Sequence, residues 1–499
     1  MLNSLSGRYI TNSNYKALLY RMNFYLHELE TNYDEALIDC LCNAIDISDA
    51  DNIIKLTSIF ISRCINQGWS ARALYKKRIE SNCNNIKIFL NKIYNSQQNN
   101  YFVMFPFRLK ILPPNGKTKE QSKAYVIEQM KKFNILVYTK EELIDMYKNM
   151  DASLFNNSEY MLVKCVAKDI FAASHNAITE ISNMLNIFGF FSVIEPWNIS
   201  NQNWIVFNSD HPYSKKLTPK DIYETYEYLD SSSVVYSRVE KIINSDSNNL
   251  EFAQKLLSAF NYATLSRLSV SVEEKFINMW IAIESLSRLD SHDNIIGNVL
   301  LCVSSACSIR YVYKELRNFV EDCFRCELSL AFEEVSIYQD EPNKELTVEN
   351  IIKIFRNDTL YETLHTRCCA SSLLKHRCEH FHKLLNDDVL LIEQIKSHHQ
   401  TILWHLDRLY RIRNEIAHSA NKQFVSVVTY TEHLYDYLAT YVSELARFSM
   451  EKGITNVGEL SVAIIDNYNH FLFVSKEKKL VPKKDYLGEL WSIGIMNYI

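Results

Sequence analysis

Between residues 273 and 289 the bulky apolar side chains fall at Phe276, Met279, Trp280, Ile283 and Leu286, a spacing of three and four that gathers all five on one side of a helix. The same spacing runs through residues 425–449 as Val427, Tyr430, Leu434, Tyr437, Leu438, Tyr441 and Leu445. Each stripe needs a partner surface, so these helices belong to a bundle. Breaks are scarce: the 499 residues include only 9 Gly and 8 Pro, and 47% are hydrophobic, which predicts a folded, mainly α protein. A chain of this length exceeds one compact core and divides into about three domains.

The first, residues 1–98, reads as an N-terminal helical domain. Leu18, Leu19, Met22, Tyr25, Leu26 and Leu29 form one stripe, and Ile53, Leu56, Phe60 and Cys64 another. Gly68 ends a helix and Ser70 starts the next. Residues 99–212 read as a small α/β domain. Tyr101 to Leu112 and Met161 to Lys168 are strands. A helix carrying Ala173, Ala177, Ile178, Ile181, Met184, Leu185 and Phe188 follows, then short strands near Phe190 to Ile194 and Trp204 to Phe207. This pattern suggests a sheet with helices on one face, with a ferredoxin-like arrangement as the candidate. Asp169 is expected to cap its helix and His175 to lie on a helix surface. Thr218-Pro219-Lys220-Asp221 opens the C-terminal helical domain, residues 213–450. Within it a helical segment at about 290–398 reads as an insertion, and residues 451–499 as a C-terminal extension.

Near the end of that domain stands Arg413-Asn414-Glu415-Ile416-Ala417-His418. On an unbroken helix five residues turn the chain by about 140°, which separates Arg413 from His418. Arg411, Asn414, Glu415 and His418 would share a face, whereas Arg413 aligns with Ile402, Leu406, Leu409 and Ile416. Either the helix is interrupted near Asn414 or Arg411 takes the role of the cation. Glu284, one turn after Trp280, either pairs with Arg413 or is a solvated helix-edge residue.

The arginine-asparagine pair and the downstream histidine resemble the R-x4-6-H signature of HEPN domains, helical modules many of which are metal-independent ribonucleases. The stretch Phe276 to Leu286 resembles the helix preceding that motif in the Apea-like branch, associated with bacterial anti-phage defence. The resemblance covers roughly residues 218–450, and these two segments are its specific parts. It implies a homodimer with the site at the dimer cleft, no cofactor and no metal. His418 would then exchange a proton with a ribose 2′-OH or a leaving 5′ oxygen, as an imidazole with an ordinary pKa of about 6.5 can do at neutral pH. Arg413 would hold the scissile phosphate with its planar fork of donors, and Asn414 would orient either partner. Arg411 and Glu284 are the supporting candidates. The products would carry 2′,3′-cyclic phosphate and 5′-hydroxyl ends. The substrate would be cellular RNA, with tRNA foremost, and the N-terminal regions would sense a phage-derived trigger or restrain the nuclease.

Charge and cysteine usage set further bounds. A formal charge of -5 provides no global field for nucleic acid, so RNA binding must be local. Lys476, Lys478, Lys479, Lys483 and Lys484 form the obvious basic cluster, and the acidic stretch Glu333, Glu334, Asp340, Glu341 and Glu345 reads as an exposed loop. Met1 to Asn14 lacks a secretory pattern, and no run of eighteen apolar residues argues for a membrane span, so a cytoplasmic protein is expected. The 12 cysteines are scattered, as for reduced thiols. Cys323-Phe324-Arg325-Cys326 has the spacing of half a zinc site, and His365, Cys368, Cys369, His376, Cys378, His380 and His382 crowd one segment. Both segments read as helix rather than as a zinc knuckle, so free thiols are expected. Two other functions remain in view. One is a non-catalytic HEPN dimer scaffold that binds RNA or a protein partner, which the acidic charge suits. The other, nucleotide hydrolysis in the central region, lacks a Walker-type glycine loop and a paired-carboxylate motif.

Overall fold

The computed structural model describes residues 32–80, 85–111, 118–147, 155–190, 194, 203–208, 214–218, 232–244, 250–269, 271–287, 289, 295–328, 330, 348–369, 371–419 and 427–477. The apolar stripe from Leu18 to Leu29, the Pro219 helix start, the acidic stretch and most of the C-terminal lysine cluster lie outside these residues. The chain is mainly helical with one small antiparallel five-stranded sheet. It divides into two compact units, one holding residues up to Val103 with Lys164–Ser174 and Val206–Ser214, the other holding the remainder.

In the first unit, α1 (32–46), α2 (Ala50–Asn66), α3 (Ala71–Glu80) and α4 (Ile86–Tyr94) follow one another. Helix α2 stops where the spacing predicts: Gly68 has φ +95, a backbone that only glycine adopts cheaply. Ser70 then accepts from the Ala73 N–H at 3.1 Å, capping α3. Asp169 is buried and does double duty. It accepts from the Phe171 and Ala172 amides at 2.8 and 3.0 Å, and from the Ser70 amide and hydroxyl at 2.8 Å each. Its place is that of a structural cap, as expected.

The sheet contains β1 (Asn99–Pro106), β2 (Ile135–Thr139), β3 (Glu159–Ala167), β4 (Trp204–Asn208) and β5 (Ser214–Leu217), in the order β2-β3-β1-β4-β5. Strand β2 runs antiparallel to β3, with Ile135 opposite Val163 and Thr139 opposite Glu159. Helix α5 (Lys119–Lys131) connects β1 to β2, the short α6 (Lys140–Met146) connects β2 to β3, and α7 (Ile170–Phe190) connects β3 to β4. Thr118 and Thr139 start α5 and α6 through reciprocal capping boxes with Gln121 and Glu142. Of the segment expected as a strand near Phe190 to Ile194, the described part is a single bridge from Ile194 to Ile111. His175 departs from expectation. It is desolvated rather than a surface residue, and burial together with the nearby Lys275 ammonium pulls its pKa below the ordinary imidazole value.

The second unit contains the helical bundle: α8 (Ser232–Ile243), α9 (Leu250–Leu268), α10 (Val272–Leu286), α11 (Ile295–Arg325), α12 (Val348–Arg356), α13 (Asp358–Cys368), α14 (Ser372–Asn386), α15 (Asp388–Ser419), α16 (Val427–Lys452) and α17 (Val457–Glu477). All five apolar residues of the α10 stripe are buried, as are Leu434, Leu438, Tyr441 and Leu445 of α16. Helix α10 packs on α9 and α16, while α11 packs on α15, α16 and α17. The segment read as an insertion therefore supplies the central helix of the bundle. Its residues Ser304, Ser305, Ala306, Cys307 and Ser308 are small and buried. Ser308 Oγ lies 3.0 Å from His399 Nδ1 of α15, whose ring stacks on Tyr468 of α17 at 4.2 Å. The segment read as an extension is likewise part of the core: Leu460, Ile464 and Phe471 of α17 are fully buried.

Helix α11 is long and apolar enough to cross a membrane by length and composition alone, but most of it is buried against its own chain. Helices α12, α13 and α14 pack on one another, and α12 and α14 also contact α11. Their junction is aromatic: the Phe319, Phe355 and Phe381 rings lie 5.3 to 6.1 Å apart. Charge is buried too. Glu444 and Arg447 of α16 are 0% and 3% exposed and pair at 2.8 Å, with Arg310 of α11 at 3.7 Å from the second Glu444 oxygen.

Candidate functional site

The Arg413 to His418 segment forms the last two turns of α15, which runs from Asp388 to Ser419 without interruption. Of the two alternatives the sequence left open, the break near Asn414 is absent. Buried Leu406, Leu409, Ile412 and Ile416 hold the inner face of these turns, and Trp280 of α10 faces Tyr410 with ring centroids 5.8 Å apart. Because the helix is regular, Arg413 and His418 leave it about 140° apart and do not share a face within one chain.

Arg413 is half-buried. Its Nη1 donates to Asn414 Oδ1 at 3.1 Å, and its Nε is buried with no hydrogen-bond partner. An unspent buried donor on a half-buried guanidinium is costly. Glu284 is half-buried on α10, and no ion pair joins it to Arg413, so the proposed carboxylate partner is not in place. Arg411, Glu415 and His418 are exposed and Asn414 is half-buried. Arg411 is engaged with Asp407 one turn back, at 2.7 Å. The structure thus brings Arg411, Asn414 and His418 to one outward stripe and sets Arg413 aside from it.

A second group of chemically capable residues lies further up the same helix. His405 Nδ1 is 2.6 Å from the Tyr437 hydroxyl of α16, and the His405 and His433 rings stand 4.9 Å apart. His433 Nδ1 is buried without a hydrogen-bond partner. Burial lowers the pKa of both imidazoles, that of His405 to about 4, so both are neutral at pH 7. The Arg408 guanidinium lies over the neighbouring Tyr430 ring at 5.5 Å. Sequence reasoning missed this group because its members sit on two helices. The one available signal was the Tyr430 and Tyr437 spacing in the α16 stripe, which marks the contact face but not what crosses it.

Two cavities lie apart from these residues. One of 390 Å³ at the start of α17 is lined by Leu289, Asn456, Glu459, Val462 and Asp466 among others, and one of 490 Å³ in the first unit by Asp39, Asp46 and Lys87 among others. Among the described residues no group of three or more His, Cys, Asp or Glu is arranged to hold a metal ion. Comparison of the chain with protein-family models, with curated proteins and with solved structures finds no match.

Proposed function

We propose that this chain is a metal-independent endoribonuclease of the HEPN kind that acts as a homodimer. The observation carrying the proposal is the end of α15, where a half-buried arginine keeps an unspent Nε donor and an exposed histidine follows five residues later. On this reading His418 moves the proton between the ribose 2′-OH and the leaving 5′ oxygen, and Arg413 stabilises charge on the phosphate. Asn414, already bonded to Arg413, fixes the guanidinium plane. The divergence of the two side chains on one helix supports a composite site: Arg413 of one copy would meet His418 of the other. The strand order β2-β3-β1-β4 supports the ferredoxin-like reading of that region, from which it departs by the short α6 between β2 and β3 and by the edge strand β5. The setting would be anti-phage defence by cleavage of cellular RNA, with tRNA as the first substrate to try.

The test is RNA cleavage by purified protein in EDTA. His418→Ala and Arg413→Ala each abolish cleavage, and the wild-type products carry 2′,3′-cyclic phosphate ends. Equal mixing of the two variants under exchange conditions restores activity to roughly a quarter, because half of the dimers are mixed and each holds one intact composite site. Cleavage that persists in either variant refutes the assignment. One feature favours a second reading, a scaffold that binds without cutting: the outward stripe sets Glu415 and Asp407 beside Arg411 and His418, a mixed-charge face suited to a protein partner. RNA or protein retained without product over long incubation selects it.

A further inference from the structure

Trp404 stands 69% exposed in the middle of α15. Among the described residues of α15 and α16, no other large apolar side chain is exposed between Leu390 and Phe448. Its neighbours one turn to either side are Gln400, Thr401, Asp407 and Arg408, all polar. A tryptophan that anchors a protein contact sits inside an apolar patch that seals off water. This one has no such surround, so what it offers is the π-face of its ring. Because α15 is regular, Trp404, Arg408, Arg411, Glu415 and His418 recur at intervals of four and three residues. They fall within about 80° of arc and spread along about 21 Å of helix. The aromatic ring therefore stands at one end of a line and His418 at the other, with two exposed guanidinium groups between them. The Arg408 guanidinium lies over the Tyr430 ring of α16 at 5.5 Å, one turn from Trp404. Arg411 is bonded to Asp407 at 2.7 Å, which neutralises the carboxylate one turn from the tryptophan. Glu415 is the acidic member of the line and belongs to its His418 end.

We propose that Trp404 is a stacking platform for an unpaired base of single-stranded RNA, with Arg408 on the phosphate beside that base. The inference rests on the nuclease reading and adds to it the form of the substrate: a single strand laid along α15, one base on Trp404 and the scissile link at His418. Stacking on an aromatic ring accepts any base, because every base has a π-face, and a neighbouring arginine supplies the donors for phosphate. Bases in a duplex are already stacked and paired with one another, so paired RNA bypasses the platform. At about 3.4 Å per stacked nucleotide, the line from Trp404 to His418 spans about six nucleotides. Stacking carries no charge and the two cations act at close range, which suits a chain whose net charge of -5 gives a polyanion no attraction at a distance.

The test is binding of the full chain to a 2′-O-methyl oligouridine long enough to span the line, read by fluorescence anisotropy of a dye on the strand. That strand lacks the 2′-OH nucleophile and stays intact, so binding is measured apart from cleavage. Trp404→Ala, checked for wild-type helicity, weakens binding roughly tenfold or more, and Trp404→Phe keeps most of the affinity. Tyr236→Ala, at another exposed aromatic residue, changes nothing. Arg408→Gln weakens binding and reduces the slope of log affinity against log salt by about 0.7. The same strand annealed to its complement binds wild type and Trp404→Ala equally. The proposal is overturned if Trp404→Ala holds the single strand as tightly as wild type, if wild type does not bind it, or if Trp404→Ala separates a dimer, which would mark the ring as a protein contact. A chain that cuts RNA while Trp404→Ala binds normally loses the platform alone. A chain that binds through Trp404 and never cuts loses the nuclease alone.

Discussion

Replacing Arg447 by methionine isolates a carboxylate in the interior of the bundle. Glu444 is 0% exposed, and one of its oxygens accepts from Arg447 Nε and Nη2 at 3.2 and 2.8 Å. Its other oxygen is buried without a hydrogen bond, the Arg310 guanidinium standing 3.7 Å off. Methionine fills much of the arginine volume, so the main loss is electrostatic. Glu444 then retains only Arg310, and removing one member of a buried pair costs about 3–5 kcal/mol. Removing both charges in Glu444→Gln with Arg447→Met relieves most of that, to within about 1–2 kcal/mol of wild type, because two buried ions no longer need compensation. The assay is the urea midpoint of the bundle transition followed by far-ultraviolet circular dichroism, on the single and double variants. A single-variant loss below about 1 kcal/mol, or a double variant no better than the single, refutes the claim that this charge is sealed from water.

Other outcomes follow from the same geometry. Asp169→Ala removes four hydrogen bonds that cap α7 and tie Ser70, and lowers stability by about 2 kcal/mol, read as a shifted urea midpoint; Asp169→Asn keeps most of the cap and recovers much of the loss. Gly453→Ala, at φ +67 with open space around it, costs about 1 kcal/mol through backbone strain alone, measured by thermal denaturation. Burial holds His398 and His405 at about 4, below the ordinary 6.5, so the unfolded chain binds those protons first. Their contribution is present above about pH 6.5 and is lost as the pH falls towards 4. Urea midpoints at pH 7.5, 6 and 5 decline, and His405→Gln flattens the decline. His418→Ala, on an exposed side chain, leaves stability within about 0.5 kcal/mol, and under the proposed nuclease function it lowers cleavage by roughly 10²–10⁴.

Periodicity carried the fold a long way. Phe276, Met279, Trp280, Ile283 and Leu286 are all buried, and so is the line of α7 from Ala173 to Phe188. The Gly68 and Ser70 boundary was legible because both signals act within a few residues. Helix α5 was not, since Ser122, Val126 and Met130 are its only buried residues and one of them is polar. The rank of α11 was hidden for another reason: a stripe shows which face is covered but not by what, so a central helix 60 residues from its partner reads as an insertion. The motif shows the same division. Its alignment of Arg413 with Leu409 and Ile416 foretold a half-buried guanidinium, whereas the unused Nε and the His405 and His433 pairing arise only when helices meet.

The central place of α11 also bears on how the protein is made. Most of its packing surface comes from α15, α16 and α17, and the last of these ends about 150 residues beyond Arg325. At a synthesis rate of roughly 5–20 residues per second, α11 waits on the order of 10 seconds outside the ribosome with its apolar side unclothed. A newborn segment that passes for a membrane helix is then open to chaperones and to the targeting machinery alike. Ribosomes stalled before residue 457 would display that competition directly.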